Sequence, residues 1–304
     1  MMKVLIAGTG SIGSEIAYAF HNKSDIICID HGKNFEILRK ELPKIRYVKG
    51  DIHDKKLIQI ESKDADIIFY CIDTGSVVSS LNSSEKYKKT NIDNFNKFLK
   101  SIADLNSSHF FLFSSSYVYP DTKKITEKTK PHPETLYGKL RLMQEEILKD
   151  FTSNYTILRL SNIFGYGHFF NIGNAGAIEK FIDCIFTGQK IMLHGDGSQT
   201  VDYLYKTDLI NLLKILIKNK PGKIYNVSTG ISNSIYHMAK LVNRIAFQEY
   251  GKSTEIVKIT VNKKLPNSPK ISPIKIIKET SCSPSLNIEM HVKRMIKQYK
   301  QNMD

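Results

Sequence analysis

The sequence predicts an α/β protein built on a doubly wound parallel sheet, with a smaller C-terminal region attached to it. Three observations carry this. Short β-branched runs alternate strictly with longer helical stretches through the first 120 residues, the pattern that lays parallel strands between covering helices. A glycine-rich turn, Gly8-Thr9-Gly10-Ser11-Ile12-Gly13, joins the first strand to the first helix. After Gly165 the alternation gives way to an irregular stretch punctuated by Gly167, Gly173, Gly176, Gly188, Gly195 and Gly197, which reads as loops.

The elements follow in chain order. Residues 3–7 form a strand, 11–21 a helix, and 26–30, 46–49 and 67–71 three further strands. Residues 84–105 carry Tyr87, Ile92, Phe95, Phe98, Leu99 and Ile102 at helical spacing, so this stretch is a long amphipathic helix. A strand at 109–114, a helix at about 135–149 and a strand at 156–160 complete the regular part. The expected division places a Rossmann-like unit at 1–165, completed by segments within 203–229, and a substrate-binding region at 166–202 and 230–304.

Composition sets the class. The chain has 304 residues, 41% hydrophobic and 24% charged, the balance of an ordinary globular protein. Cys28, Cys71, Cys184 and Cys282 are widely spaced with no CxxC pair, which suggests neither a zinc site nor a disulfide framework and fits a reducing cytoplasm. The apolar start ends at Gly8, too early for a signal peptide. No run approaches the roughly 20 apolar residues of a membrane span. The expectation is therefore a soluble, cytoplasmic protein that holds no metal. The net charge is +14, which by itself suits nucleic acid, an anionic membrane face or a phosphorylated small molecule. Only six of the 44 basic residues are arginine. Arginine is the residue of bidentate base and phosphate reading, so a lysine-dominated excess argues against nucleic acid as a partner.

The glycine turn places bare backbone where a pyrophosphate approaches, and the helix N-terminus behind it offers amide donors and a positive dipole end. Gly8, Gly10, Ser11, Ile12 and Gly13 are the candidate contacts. Asp30 closes the second strand roughly 20 residues further on, the position whose carboxylate accepts from the adenosine ribose hydroxyls and repels a 2′-phosphate. The cofactor is thus expected to be NAD rather than NADP. Asp51 and Ile52 close the third strand as further candidate cofactor contacts, Asp51 either receiving the adenine amino group or being a plain turn carboxylate.

Further along, Ser114-Ser115-Ser116-Tyr117-Val118-Tyr119 ends one strand and Tyr137-Gly138-Lys139-Leu140-Arg141 opens a helix. With Asn91 in a Thr-Asn-Ile segment, Arg159-Leu160-Ser161-Asn162-Ile163-Phe164-Gly165, Gly195-Asp196-Gly197-Ser198-Gln199, the stretch from Tyr203 to Asp208, and Tyr225-Asn226-Val227, the chain resembles the extended short-chain dehydrogenase/reductase family, its NAD-dependent epimerase/dehydratase group. The order and spacing of the motifs carry the resemblance, which spans nearly the whole chain. It implies nucleotide-sugar substrates, Ser115 and Tyr137 as catalytic residues, and Arg141 in the place of the family's lysine. A free tyrosine, with a pKa near 10, is a poor base at neutral pH until a cation one helical turn away favours its phenolate. Tyr137 and Arg141 would also touch the cofactor. The resemblance further places Ser116, Asn162, Asn171, Val201 and Tyr203 at the substrate and implies a homodimer formed through a four-helix bundle.

Three departures from the family pattern stand out. Arginine replaces lysine at 141 and differs from it in shape and hydration. Val201 replaces an arginine that typically grips the nucleotide diphosphate. Ile72-Asp73 replaces a small pair at the end of the fourth strand. The family's dehydratases carry an Asp-Glu pair directly after the catalytic serine or threonine, where this chain has Ser116 and Tyr117. The expected activity is therefore sugar-nucleotide epimerisation. The alternatives are a net NAD-dependent dehydrogenase and a non-catalytic NAD-binding protein.

Overall fold

A computed structural model describes residues 1–32, 34–72, 85–170, 176–260 and 266–303. Strands β1 (Met2–Ala7), β2 (Ser24–Asp30), β3 (Arg46–Lys49), β4 (Ile67–Tyr70), β5 (His109–Ser115) and β6 (Tyr155–Leu160) alternate with helices α1 (Ser11–Phe20), α2 (Asn34–Glu41), α3 (Lys55–Glu61), α4 (Glu85–Ser101) and α5 (Leu136–Phe151). There follow β7 (Asn162–Phe164), α6 (Ala177–Thr187), β8 (Ile191–His194), β9 (Thr200–Tyr205), α7 (Lys206–Asn219) and β10 (Ile224–Val227). The chain then continues with β11 (Ser232–Ser234), α8 (Ile235–Tyr250), β12 (Ile256–Ile259), α9 (Ile274–Thr280) and α10 (Ile288–Met303).

The main sheet has seven parallel strands in the order β10-β6-β5-β4-β1-β2-β3. This is the Rossmann-like α/β arrangement expected from the alternation. Both faces are covered, so β1 reads as an unbroken apolar run. Val4 and Ile6 enter one core with Ile16, Phe69 and Leu213, while Leu5 and Ala7 enter the other with Phe95, Phe98 and Phe110. The strand order reverses around β1 and β4, and ligands of such sheets bind beyond the carboxyl ends of the strands at that point. The glycine turn and Ser115 both lie at that edge.

Helix α4 ends at Ser101 rather than continuing to 105. Ser101 bonds back to the Lys97 carbonyl, and the Asp104 carboxylate then accepts from the Asn106 and Ser107 amides, a local turn that competes with further helix. The larger departure is after Gly165, where regular structure replaces the expected irregularity. Helices α6, α8 and α10 pack around a third core of Ile178, Ile182, Leu193, Met238, Val242, Val292 and Ile296, beside β11-β9-β7 and β12-β8. These strands are three to six residues long, too short to show a period of two. The glycines mark their ends: Gly188 takes a left-handed φ of 72° to close α6, a conformation that favours glycine.

Two buried polar locks position the site. Arg159 of β6 makes a two-pronged pair with Glu145 of α5, at 2.6 Å and 2.9 Å, and donates to the Tyr119 hydroxyl at 2.6 Å. Ser114, the neighbour of Ser115, donates to Glu145 as well, at 2.5 Å. The helix bearing Tyr137 is thereby pinned to the strand bearing Ser115. Asp202 of β9, fully buried, accepts from the Thr229 amide and hydroxyl and from the Gly230 amide, tying β9 to the loop after β10. Among the described residues no helix is long and apolar enough to cross a membrane.

Candidate active site

The glycine turn shows which of its glycines the protein itself needs. Gly8 has a φ of 91°, and a Cβ on it would lie 2.7 Å from Ile72, so one of the three departures packs directly on the turn. A Cβ on Gly13 would lie 2.0 Å from the Gly8 carbonyl oxygen. Gly10 differs, because a Cβ there would meet nothing within 4 Å. Gly10 is also the N-cap of α1 and supplies no side-chain cap, nor does the first turn contain an acidic residue. The amides of Ser11, Ile12 and Gly13 thus open an uncapped helix end with free space beside it, which fits a pyrophosphate.

Asp30 lies next to this turn. Its Oδ2 accepts from the Thr9 amide at 2.6 Å and the Thr9 hydroxyl at 2.7 Å, and its Oδ1 accepts from the His31 and Gly32 amides. Burial raises the pKa of this carboxyl, but the Thr9, Gly32 and His31 hydrogen bonds outweigh it and hold Asp30 below the ordinary value. A carboxylate held in its ionised form at neutral pH suits ribose hydroxyls. Thr9 was not anticipated from the sequence; its only signal is a hydroxyl at the variable position of the turn. Asp51 is exposed and accepts from the His53 amide and ring, and these lower its pKa. The Ile52 side chain goes into the core with Ile58.

At the other end of the edge, Ser115 caps the short turn Ser116–Val118, its Oγ accepting from the Tyr117 amide. Helix α5 starts against that same turn: a Cβ on Gly138 would lie 2.0 Å from the Tyr117 carbonyl oxygen, so only glycine lets Tyr137 come so close to the serine strand. The Tyr137 and Tyr117 rings meet edge to face, centroids 6.2 Å apart. The Arg141 guanidinium carbon sits 5.1 Å from the centre of the Tyr137 ring. Arg141 is itself buried, so its charge acts on the tyrosine with little screening by water.

The substrate candidates divide. Ser116 is buried, its hydroxyl 3.4 Å from that of Ser268. Burial pushes the Tyr117 pKa up to about 12, against a smaller lowering influence of the nearby Ser268 and Asn162 side chains. These residues form one cluster with Tyr137. Val201 and Tyr203, one face of β9, lie in the third core with Phe164. Asn171 and Asp73 lie outside the described residues. A cavity of about 280 Å³ opens beside the tyrosine pair, lined by Tyr117, Asp121, Glu134, Thr135 and Asn267 among others. The sequence reading missed Asp121, Glu134 and Asn267, which come together only through folding.

Residues 4–228 match the family described as the NAD dependent epimerase/dehydratase family. The chain belongs to that family. NAD is accordingly its cofactor, and the open, uncapped turn beside Asp30 suits it. The chain is 28% identical to UDP-glucose 4-epimerase of Lactobacillus helveticus over 278 residues, covering 80% of this chain and 82% of that protein. It is 27% identical to dTDP-D-glucose 4,6-dehydratase of Dictyostelium discoideum over 277 residues, 81% of this chain but only 62% of that longer protein. The crystal structure of UDP-glucose 4-epimerase of Thermotoga maritima with UDP-glucose superposes with a TM-score of 0.86 at 23% identity, covering 100% of both chains.

Proposed function

We propose that this protein oxidises a hydroxyl of a nucleotide-linked sugar with NAD and returns the hydride to the same carbon from the other face, as an epimerase. The observation that supports the reading is that Tyr137 packs against the turn that Ser115 caps, with the Arg141 guanidinium 5.1 Å from the tyrosine ring. Bound NAD supplies a hydride acceptor and donor. Tyr137, with Arg141 favouring its ionised form, takes the proton of the sugar hydroxyl, and Ser115 hydrogen-bonds the same oxygen. Gly8, Gly10, Ser11, Ile12, Gly13 and Asp30 hold the cofactor, with Asp51 at its adenine end.

Dehydration requires an acid/base pair beside the catalytic serine. Ser116 is buried and spent on Ser268, and Tyr117 is a neutral phenol through the physiological range. The two side chains that occupy those positions therefore support epimerisation over loss of water. The test is incubation with UDP-glucose and with dTDP-glucose, read by NMR and NADH absorbance. The expected product is an epimer, and Tyr137→Phe is expected to lower turnover by at least about 100-fold, the range of general acid–base catalysis. A 4-keto-6-deoxy sugar or accumulation of NADH would reassign the reaction. Turnover by Tyr137→Phe equal to that of the parent refutes the role of the tyrosine.

A further inference from the structure

The replacement of lysine by arginine on the tyrosine helix comes with a second buried side chain that the family motif does not include. Arg141 donates from Nη1 to the Gln144 side-chain carbonyl at 3.0 Å. Gln144 in turn donates from Nε2 to the backbone carbonyl of Asn91, in α4, at 3.3 Å. Arg141, Gln144 and Asn91 are 6%, 2% and 8% exposed. One amide thus bridges two helices and orients the guanidinium that lies over Tyr137.

We infer that Gln144 is a positioning residue that fixes the Arg141 guanidinium against Tyr137, and that this bridge is what allows an arginine to stand where the family uses lysine. The argument is geometric. A lysine is a compact point charge, whereas an arginine carries its charge on a planar fork whose orientation has to be fixed for it to face one neighbour. A fork that can swing does not hold a steady field on a neighbouring hydroxyl. Gln144 follows Arg141 by three residues, so the two share one face of α5. Its amide both accepts and donates, so the same group that holds the guanidinium is itself held by α4. A methionine or leucine of similar size would fill the space without doing either. The inference rests on Tyr137 being the base.

The experiment measures ionisation of Tyr137 directly in the NAD-loaded protein, as the pH titration of phenolate ultraviolet absorbance in the parent minus that of Tyr137→Phe. Gln144→Met is expected to raise the Tyr137 pKa by about one unit, which is ~10-fold less phenolate at neutral pH. Gln144→Leu gives the same measurement should the methionine variant fail to fold. The decisive arm is a double-mutant cycle. In an Arg141→Lys background, Gln144→Met is expected to cause no further shift, because its partner is gone. A Gln144→Met shift that persists undiminished in that background, or no shift in the parent, overturns the inference while leaving Tyr137 as the base. A Tyr137 that titrates as an ordinary phenol in the parent overturns both.

Discussion

Alanine at Gly10 and alanine at Gly13, three residues apart in one turn, should have opposite consequences. At Gly13 the added carbon would sit 2.0 Å from the Gly8 carbonyl oxygen. Backbone cannot swing aside as a side chain can, so the substitution is expected to cost at least the ~1–3 kcal/mol of an overpacked core. At Gly10 the carbon meets nothing within 4 Å, and its φ of −71° is one that alanine adopts freely. Gly10→Ala should therefore leave the apo protein as stable as the parent, or more so by about 0.4–1 kcal/mol through the unfolded chain. Its methyl group does occupy the space left for the pyrophosphate, and NAD should bind about 10–100-fold more weakly, a loss of roughly 1.4–2.8 kcal/mol.

Both effects are read in one assay, chemical denaturation with and without NAD. At a cofactor concentration about 100 times the parent dissociation constant, the parent gains about 2.7 kcal/mol from NAD. The Gly10→Ala protein should gain only about 0.4–1.4 kcal/mol under the same conditions. If NAD stabilises Gly10→Ala as much as the parent, the pyrophosphate does not lie at Gly10 and the placement of the cofactor is wrong. If Gly13→Ala is as stable as the parent, the close approach of α1 to the Gly8 carbonyl is not a constraint on the fold.

Two further outcomes follow from the buried groups. Arg159→Leu leaves Glu145 buried without its guanidinium partner and should cost about 3–5 kcal/mol of unfolding free energy by chemical denaturation; a loss below 1 kcal/mol would show that the pair does not pin α5. Asp30 has a folded pKa below its ordinary 3.8, so it stabilises the fold above that value and loses this contribution as the pH falls through the folded pKa. Asp30→Asn should be less stable than the parent at neutral pH, with the gap narrowing below about pH 4. A gap that stays constant into acid would refute it.

The residues legible from sequence are those whose role is local. The glycine turn, Asp30 and the Tyr137-Arg141 pair lie within single strand–turn–helix units, where spacing alone fixes who faces whom. Asp30 is readable because a strand end has one position next to the turn. Gln144 was not readable, since its meaning depends on which face α5 turns to α4, and the Arg159-Glu145 pair decides that. Tyr117 likewise acquires its role from Asn162 and Ser268, which come from distant parts of the chain. The region after Gly165 reads as irregular because its glycines fall between short elements that come together in a third core only through long-range contacts.

Val201 shows the same limit from the other side, and it bears on the net charge of +14. Its comparison with a diphosphate-gripping arginine assumed a side chain facing the ligand, but Val201 is 8% exposed and packs in the third core, on the face of β9 that also buries Tyr203. A cation there would have to be desolvated, at a cost that an apolar side chain avoids. Several basic residues of the C-terminal part are engaged within the protein. Lys258 lies over Tyr236 at 4.7 Å. Lys275 donates to the Ile224 carbonyl and covers Tyr225. Lys293 pairs with Glu249 and Arg244 with Glu289. Each of these cations covers an aromatic ring, pairs with a carboxylate or satisfies a backbone carbonyl within the protein. Some of the basic residues thus serve packing within the protein, and total charge is a poor measure of how strongly this cleft attracts a phosphate. In the chemistry proposed, the field that matters is better represented by one buried guanidinium, Arg141, 5.1 Å from the centre of the Tyr137 ring.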